Sequence, residues 1–276
     1  MALNRTWVNA LVNDDGSNTL GELWDKADVV HIYDDVDAAL LTNPALGRYT
    51  VVSSTATGTV HNWNPGINGH TIIKWAGASD LIVTGLAGGT AGQIVTLFNN
   101  GAAVLYAAQA SASSTQKFFN HAASAPTPIA TGGGFATYYC DGNYWILLAH
   151  EQGAWITAPY SAANFTANVG TWTVDAGDIL GLKYRLSGRT LHVNFVINNA
   201  ATTGSPGYLK IGNGAYGGFV SASYAITATG SFNDGSLVPG YIEADPNATF
   251  LVVARLTGAI VNGGSSVQGQ IMLEVT

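Results

Sequence analysis

Charge is the scarcest property of this 276-residue chain: only 10% of its residues are Asp, Glu, Lys or Arg, against roughly 25% in an ordinary soluble domain. A surface this poor in charge is kept from sticking by hydroxyls, amides and glycine, or by burial of its apolar remainder between subunits. Cysteine is almost missing too. The single Cys140 excludes an intrachain disulfide framework and any cysteine-based metal site, so packing must hold the fold. No apolar run is long enough to cross a bilayer, and the opening MALNRTWVNALVNDDG lacks the basic start and apolar stretch of a secretory signal. The expectation is a protein made in the cytoplasm, with no signal peptide and no membrane insertion.

What charge there is lies at one end. Residues 1–37 hold eight carboxylates against Arg5 and Lys26, a net of -6 out of the chain's -7. Beyond them nine acids face eight bases, so no basic field exists to gather nucleic-acid phosphates. In the acidic end, Thr19-Leu20-Gly21-Glu22 has capping-box spacing, and Val29, Tyr33, Val36 and Leu40 recur at helical intervals. A helix over about 19–41 is predicted, ended at Asn43-Pro44. Its apolar stripe needs a surface to pack on, which marks residues 1–47 as an attachment or oligomerisation element.

From 48 to 152 the chain is a series of short β runs between Gly, Asn and Ser: TVHNW, HTIIKW, LIVTGL, QIVTLF, AVLYAA, FATYYC and YWILL. With no helix between them, these predict an antiparallel β module. Cys140-Asp141-Gly142-Asn143 predicts a tight hairpin joining FATYY to YWILL. From 153 to 276 a second β unit is expected. Leu180, Leu182, Tyr184 and Leu186 alternate with basic residues, and Leu191, Val193, Phe195 and Ile197 alternate with polar ones, giving a half-buried hairpin around Ser187-Gly188. Val267, Ile271, Leu273 and Val275 share one parity, so the chain ends inside a sheet. The predicted fold is mainly β: a helix-containing N-terminal anchor followed by two antiparallel β domains, the second a jelly-roll-like β-sandwich.

Three pieces, in order, resemble bacteriophage tail-fibre and head-fibre proteins: LNRTWVNALVNDDGSNTLGELWDKA, then GTVHNW through IIKWAGASDLIVTGLAGGTAGQIVTLFNNG to DGNYWIL, then WITAPYSAANFTANVGTWTVDAGDILGLKYRLSGRTLHVNF. The resemblance implies a virion structural protein, a homotrimer mounted on other virion proteins through residues 1–44, with the C-terminal domain outward and free to meet a host glycan or protein. A free-standing carbohydrate-binding adhesin is the alternative, and a glycan depolymerase a third reading.

Chemical motifs are few. Gly212-Asn213-Gly214-Ala215-Tyr216-Gly217 matches a dinucleotide fingerprint, yet the residues after it read as strand, not helix. The stretch from Leu11 to Glu22 resembles a calcium loop whose first position, Leu11, has no oxygen to give. The six histidines show no zinc spacing, and no nucleophile elbow is present. A depolymerase would need two carboxylates from Asp175, Asp178, Asp234, Glu243 and Asp245, most of which border turns where Asp serves the backbone. No catalytic residue, metal or cofactor is therefore expected. For ligand binding, Tyr208, Asn213, Tyr216, Phe219 and Asp234 offer aromatic faces beside amides and a carboxylate. The expected route to a ligand is through the loops around 208–219 and not through the sheets, with Tyr216 exposed between its glycines.

Overall fold

The computed structural model of the chain describes residues 49–109, 114–233 and 237–276; the helix expected over 19–41, with the rest of the acidic segment, lies outside the described residues. The described part is mainly β, with three short 3-10 turns and no α-helix. Both β units, however, are built differently from the antiparallel module and the sandwich that their alternation predicts.

The first unit is a β-solenoid. Strands β1 (Tyr49–Ser54), β3 (His70–Trp75) and β5 (Ile94–Asn99) lie side by side in parallel, as do β2 (Gly58–Val60), β4 (Leu81–Val83) and β6 (Leu105–Ala107). Each turn of the chain therefore lays one strand on each of two sheets, and successive coils stack, Tyr49 beside His70 and Thr71 beside Val95. Equivalent corners of two coils carry Gly77 and Gly101. A Cβ on Gly101 would sit 2.7 Å from the Gly77 carbonyl oxygen, so the coils close up only because that corner lacks a side chain, while a Cβ on Gly77 would strike the Trp75 ring at 2.2 Å. Four further strands end the stack: β7 (Lys117–Phe119), β8 (Thr127–Ile129), β9 (Phe135–Cys140) and β10 (Tyr144–Glu151). Here β8 adds to β6 and β9 to β5 in antiparallel fashion, β10 pairs antiparallel with β9, and β7 lies parallel to β10. The hairpin expected at 140–143 joins β9 to β10, with the Asp141 carboxylate accepting bonds from the Asn143 and Tyr144 amides at 2.7 and 2.6 Å.

Between the two sheets lies a core of large rings. Trp75, Phe118, Tyr138 and Trp145 are all buried among Ile73, Leu81, Leu86 and Leu97. Each indole is anchored: Trp75 Nε1 donates to the Ala56 carbonyl at 2.7 Å and Trp145 Nε1 to the Leu86 carbonyl at 3.1 Å. Apolar alternation is the same for parallel and antiparallel strands, which is why the pattern located these strands but misassigned their direction.

The second unit is one curled sheet, a half-barrel. It comprises β11 (Ile156–Thr157), β12 (Phe165–Ala167), β13 (Thr171–Thr173), β14 (Ile179–Ser187) and β15 (Thr190–Thr203), then β16 (Tyr208–Gly212), β17 (Ala225–Asn233), β18 (Leu237–Ala244), β19 (Phe250–Arg255) and β20 (Gly263–Glu274). Every pairing is antiparallel and the hydrogen bonding is continuous from β14 through β15, β20, β17, β18 and β19 to β16. A sandwich needs two separate sheets; here one sheet bends round so that its inner face supplies both walls of the core. Register breaks between Ile179 and Gly181, between Ile197 and Ala200 and between Thr227 and Gly230 give the bends. Phe195, Ile197, Phe232, Ile242, Leu251 and Val253 fill the interior with no exposed surface.

The two units meet through the end of β10. Glu151 pairs with Arg185, and the fully buried Gln152 amide donates to the Ala154 and Tyr184 carbonyls and accepts from the Leu186 amide at 2.7 Å. Beside them His150 is held with Nε2 donating to the Pro128 carbonyl at 2.7 Å, while its buried Nδ1 has no partner among the described residues. Burial, reinforced by His121, pushes the His150 pKa below its ordinary 6.5, against the smaller opposing pulls of the Pro128 carbonyl and Glu151. A depressed folded-state pKa means that the unfolded chain binds the proton first. Stability is then full above about pH 6.5 and falls as the pH drops below it, by at most about 1.4 kcal/mol per pH unit. Glu151, whose pKa Arg185 lowers, acts in the same direction at more acid pH. The melting temperature should therefore drop between pH 7.5 and 5.5, and His150→Gln should flatten that drop. An unchanged slope in the variant would assign the effect to other groups.

Candidate functional site

On a sheet with one buried face, every second side chain is left outside. Along β15 the inner residues are Leu191, Val193, Phe195 and Ile197, so Asn194, Val196 and Asn198 face out; along β20 the outer set is Ser266, Gln268 and Gln270. The ladder places Asn194 opposite Gln270 and Val196 opposite Gln268, and β17 adds Ser231 beside Gln268 and Asn233 beside Ser266. The result is a row of amides and hydroxyls crossing three strands.

This row lines a groove of about 310 Å³ that runs on into a shallower hollow of about 250 Å³, the two sharing Val196 and Gln268. Leu180 and Leu237 form its apolar rim. Leu180 is there because of the bulge after Ile179. By simple alternation it belongs with Leu182, Tyr184 and Leu186 in the core, but the extra residue turns it out, 69% exposed. Ser266 is fixed by donating to Asn198 Oδ1 at 2.6 Å and accepting from the Asn199 amide at 3.1 Å. The side-chain amides of Asn194 and Gln268 have no protein partner among the described residues.

None of the described residues that line the groove is ionisable, and Lys183, opposite Asn194 in the ladder, is the nearest charge along that row. Paired donors and acceptors next to aliphatic side chains suit a neutral, hydroxyl-rich ligand such as a glycan. Among the described residues no cluster of three His, Cys, Asp or Glu could hold a metal, and no helix is long and apolar enough to cross a membrane.

The residues singled out from sequence are placed elsewhere. Tyr216 and Phe219 are each 1% exposed, in the half-barrel core; their rings cannot meet a ligand, and the exposure expected of Tyr216 is corrected. The glycines beside Tyr216 serve a 3-10 turn, Asn213–Tyr216, capped by Gly217 at φ +81° under the Tyr184 ring. That four-residue turn, where a dinucleotide fold would start a helix, also removes the geometry for binding a pyrophosphate. Asn213 spends its amide on the Gly218 carbonyl at 3.0 Å. Tyr208 is half-buried on β16, where the Lys210 ammonium lies 5.7 Å from its ring centroid and 4.4 Å from that of Phe250. Asp234 lies outside the described residues, although its sequence neighbour Asn233 lines the groove. Asp175 and Asp178 form a capping box around a 3-10 turn, and Glu243 accepts a bond from the Tyr224 hydroxyl at 3.3 Å. The signal for the groove was in the sequence as Gln268-Gly269-Gln270 and Asn194, the wet parity of two strands whose dry parity drew attention. No protein-family model matches the chain, and no curated protein matches it.

Proposed function

We propose that the chain is a non-catalytic display protein, a fibre or spike of a bacteriophage-like particle, whose C-terminal half-barrel meets a neutral glycan through the amide-lined groove. The observation that carries the binding part is the groove itself: a row of uncharged donors and acceptors on a hydrogen-bonded sheet, with Asn194 and Gln268 without a partner among the described residues. The display part rests on the three-part resemblance of the sequence to phage fibre proteins. A stacked solenoid joined to a β-rich end unit accords with such a role, since strands locked in ladders make a stiff support for a distal surface.

Two experiments test the two parts. The protein should be detected in purified particles; a chain secreted free of particles would favour the adhesin reading. In glycan-array or host-cell binding, Gln268→Ala combined with Asn233→Ala should weaken binding by about ten-fold or more while changing stability by less than about 0.5 kcal/mol, the range of surface substitutions. Binding that survives this double substitution but fails on changing Lys210 would move the site to the outer face of β16 and β19.

A further inference from the structure

The six-stranded sheet of the solenoid turns one face to the core and the other outward, and that outward face carries a continuous band of apolar and aromatic side chains. One row crosses all six strands: Tyr49, His70, Ile94, Tyr139, Ile146 and Phe119. Behind it come Val51 and Ile72, then Phe98 and Phe135. Ser53, Thr96 and Thr137 interrupt these rows, and among the described residues the charges of the face are Lys74, beside Phe98, Lys117, beside Tyr144, and Glu151, at a corner and committed to Arg185. Exposure is concentrated at the two ends. Tyr49 and Val51, on β1, are 51% and 54% exposed, while Phe119 and Tyr144, on β7 and β10, are 57% and 48% exposed. The ends also differ in shape. Tyr49 and Val51 stand out from an edge strand that has no described neighbour on its outer side, whereas Phe119, Tyr144 and Ile146 line an apolar hollow of about 390 Å³.

We propose that this face is a self-association surface, with the β1 edge of one copy seated in the β7–β10 hollow of the next. Two different patches at opposite edges of one face are what a head-to-tail contact requires, since a two-fold contact would use one patch twice. Three such sheets turned toward a common axis bring each β1 edge to its neighbour's hollow and close the ring. At about 4.8 Å between strands and 3.3 Å per residue the face covers about 500 Å² in plan. With side-chain relief it approaches the about 800 Å² that each partner gives to a standard interface. The assembly deepens the display reading above and rests on it only for the number of copies.

Light scattering on the purified 276-residue chain should give about three times 28.6 kDa. Tyr49→Glu and Phe119→Lys, each alone, should weaken association by about ten-fold or more with an unchanged circular-dichroism spectrum, because each puts a charge that must be desolvated in place of a ring buried in the contact. The two together in one chain should restore it, since each glutamate then meets the next copy's lysine; Tyr49→Glu with Phe119→Glu should not. A monomeric wild type, an oligomer indifferent to both single changes, or a failure of the first pair to restore association would each overturn the proposal. So would a monomer that Tyr49→Glu destabilises, which would place the chain's own residues 1–48 over the face. A monomer still found in purified particles would sink this inference and leave the display reading standing.

Discussion

Trp145→Ala should unfold the solenoid readily, lowering stability by about 3–5 kcal/mol. The indole is fully buried between the two sheets, against Cys140 and Gly89, where a Cβ on Gly89 would come within 2.4 Å of the ring. Such a close fit leaves no neighbour able to collapse into the space that alanine would open. The Leu86 carbonyl would also lose its Nε1 donor, an added cost of about 1 kcal/mol. Trp145→Phe keeps most of the ring and should cost about half as much or less. Urea denaturation followed by circular dichroism measures both. A loss below about 1 kcal/mol for the alanine variant would mean that the core is far looser than its packing implies.

Gln152→Leu should be nearly as damaging although it keeps the side chain's shape and adds apolar surface. β11 pairs with β14 only at Tyr184 and Lys183. Beyond that point the Gln152 amide takes the place of a missing strand, meeting the Tyr184 carbonyl at 3.2 Å and the Leu186 amide at 2.7 Å. Leucine would leave both backbone groups buried and unpaired, at about 1–3 kcal/mol each. Gln268→Leu, in the open groove, is the control and should change stability by less than about 0.5 kcal/mol. If the two leucine variants melt alike, Gln152 is not what joins the solenoid to the half-barrel.

The sequence and the structure part company at identifiable residues. Hydrophobic alternation placed β3, β5, β9, β10, β14, β15 and β20 close to where they lie, and chose the inner parity of β15 and β20 correctly. Alternation records which side chains are dry; it carries no information on the direction of the neighbouring strand. The coil order β1-β3-β5 was readable only as a repeat, HTIIKWAGASDLIV against IVTLFNNGAAVLY, with Gly77 and Gly101 at matching corners. Tyr216 was misread for a related reason. Flanking glycines fit an exposed loop and a tight buried turn equally well, and the Tyr184 ring that selects the turn is distant in sequence.

By itself, then, the sequence determined that this is a β-rich chain with little charge, that its strands lie where dry residues alternate with wet ones, and that Asp141-Gly142 and Ser187-Gly188 turn it back on itself. These are local matters, set by side-chain period and by the backbone freedom of a few residues. Only the tertiary structure decided that the first unit coils and the second curls into one sheet, that Leu180 faces out and Tyr216 in, and that Asn194, Gln268 and Asn233 share one groove. Those outcomes depend on which strands become neighbours across long stretches of chain. That choice is made by how the rings of two cores fill space together, and no window of sequence contains it.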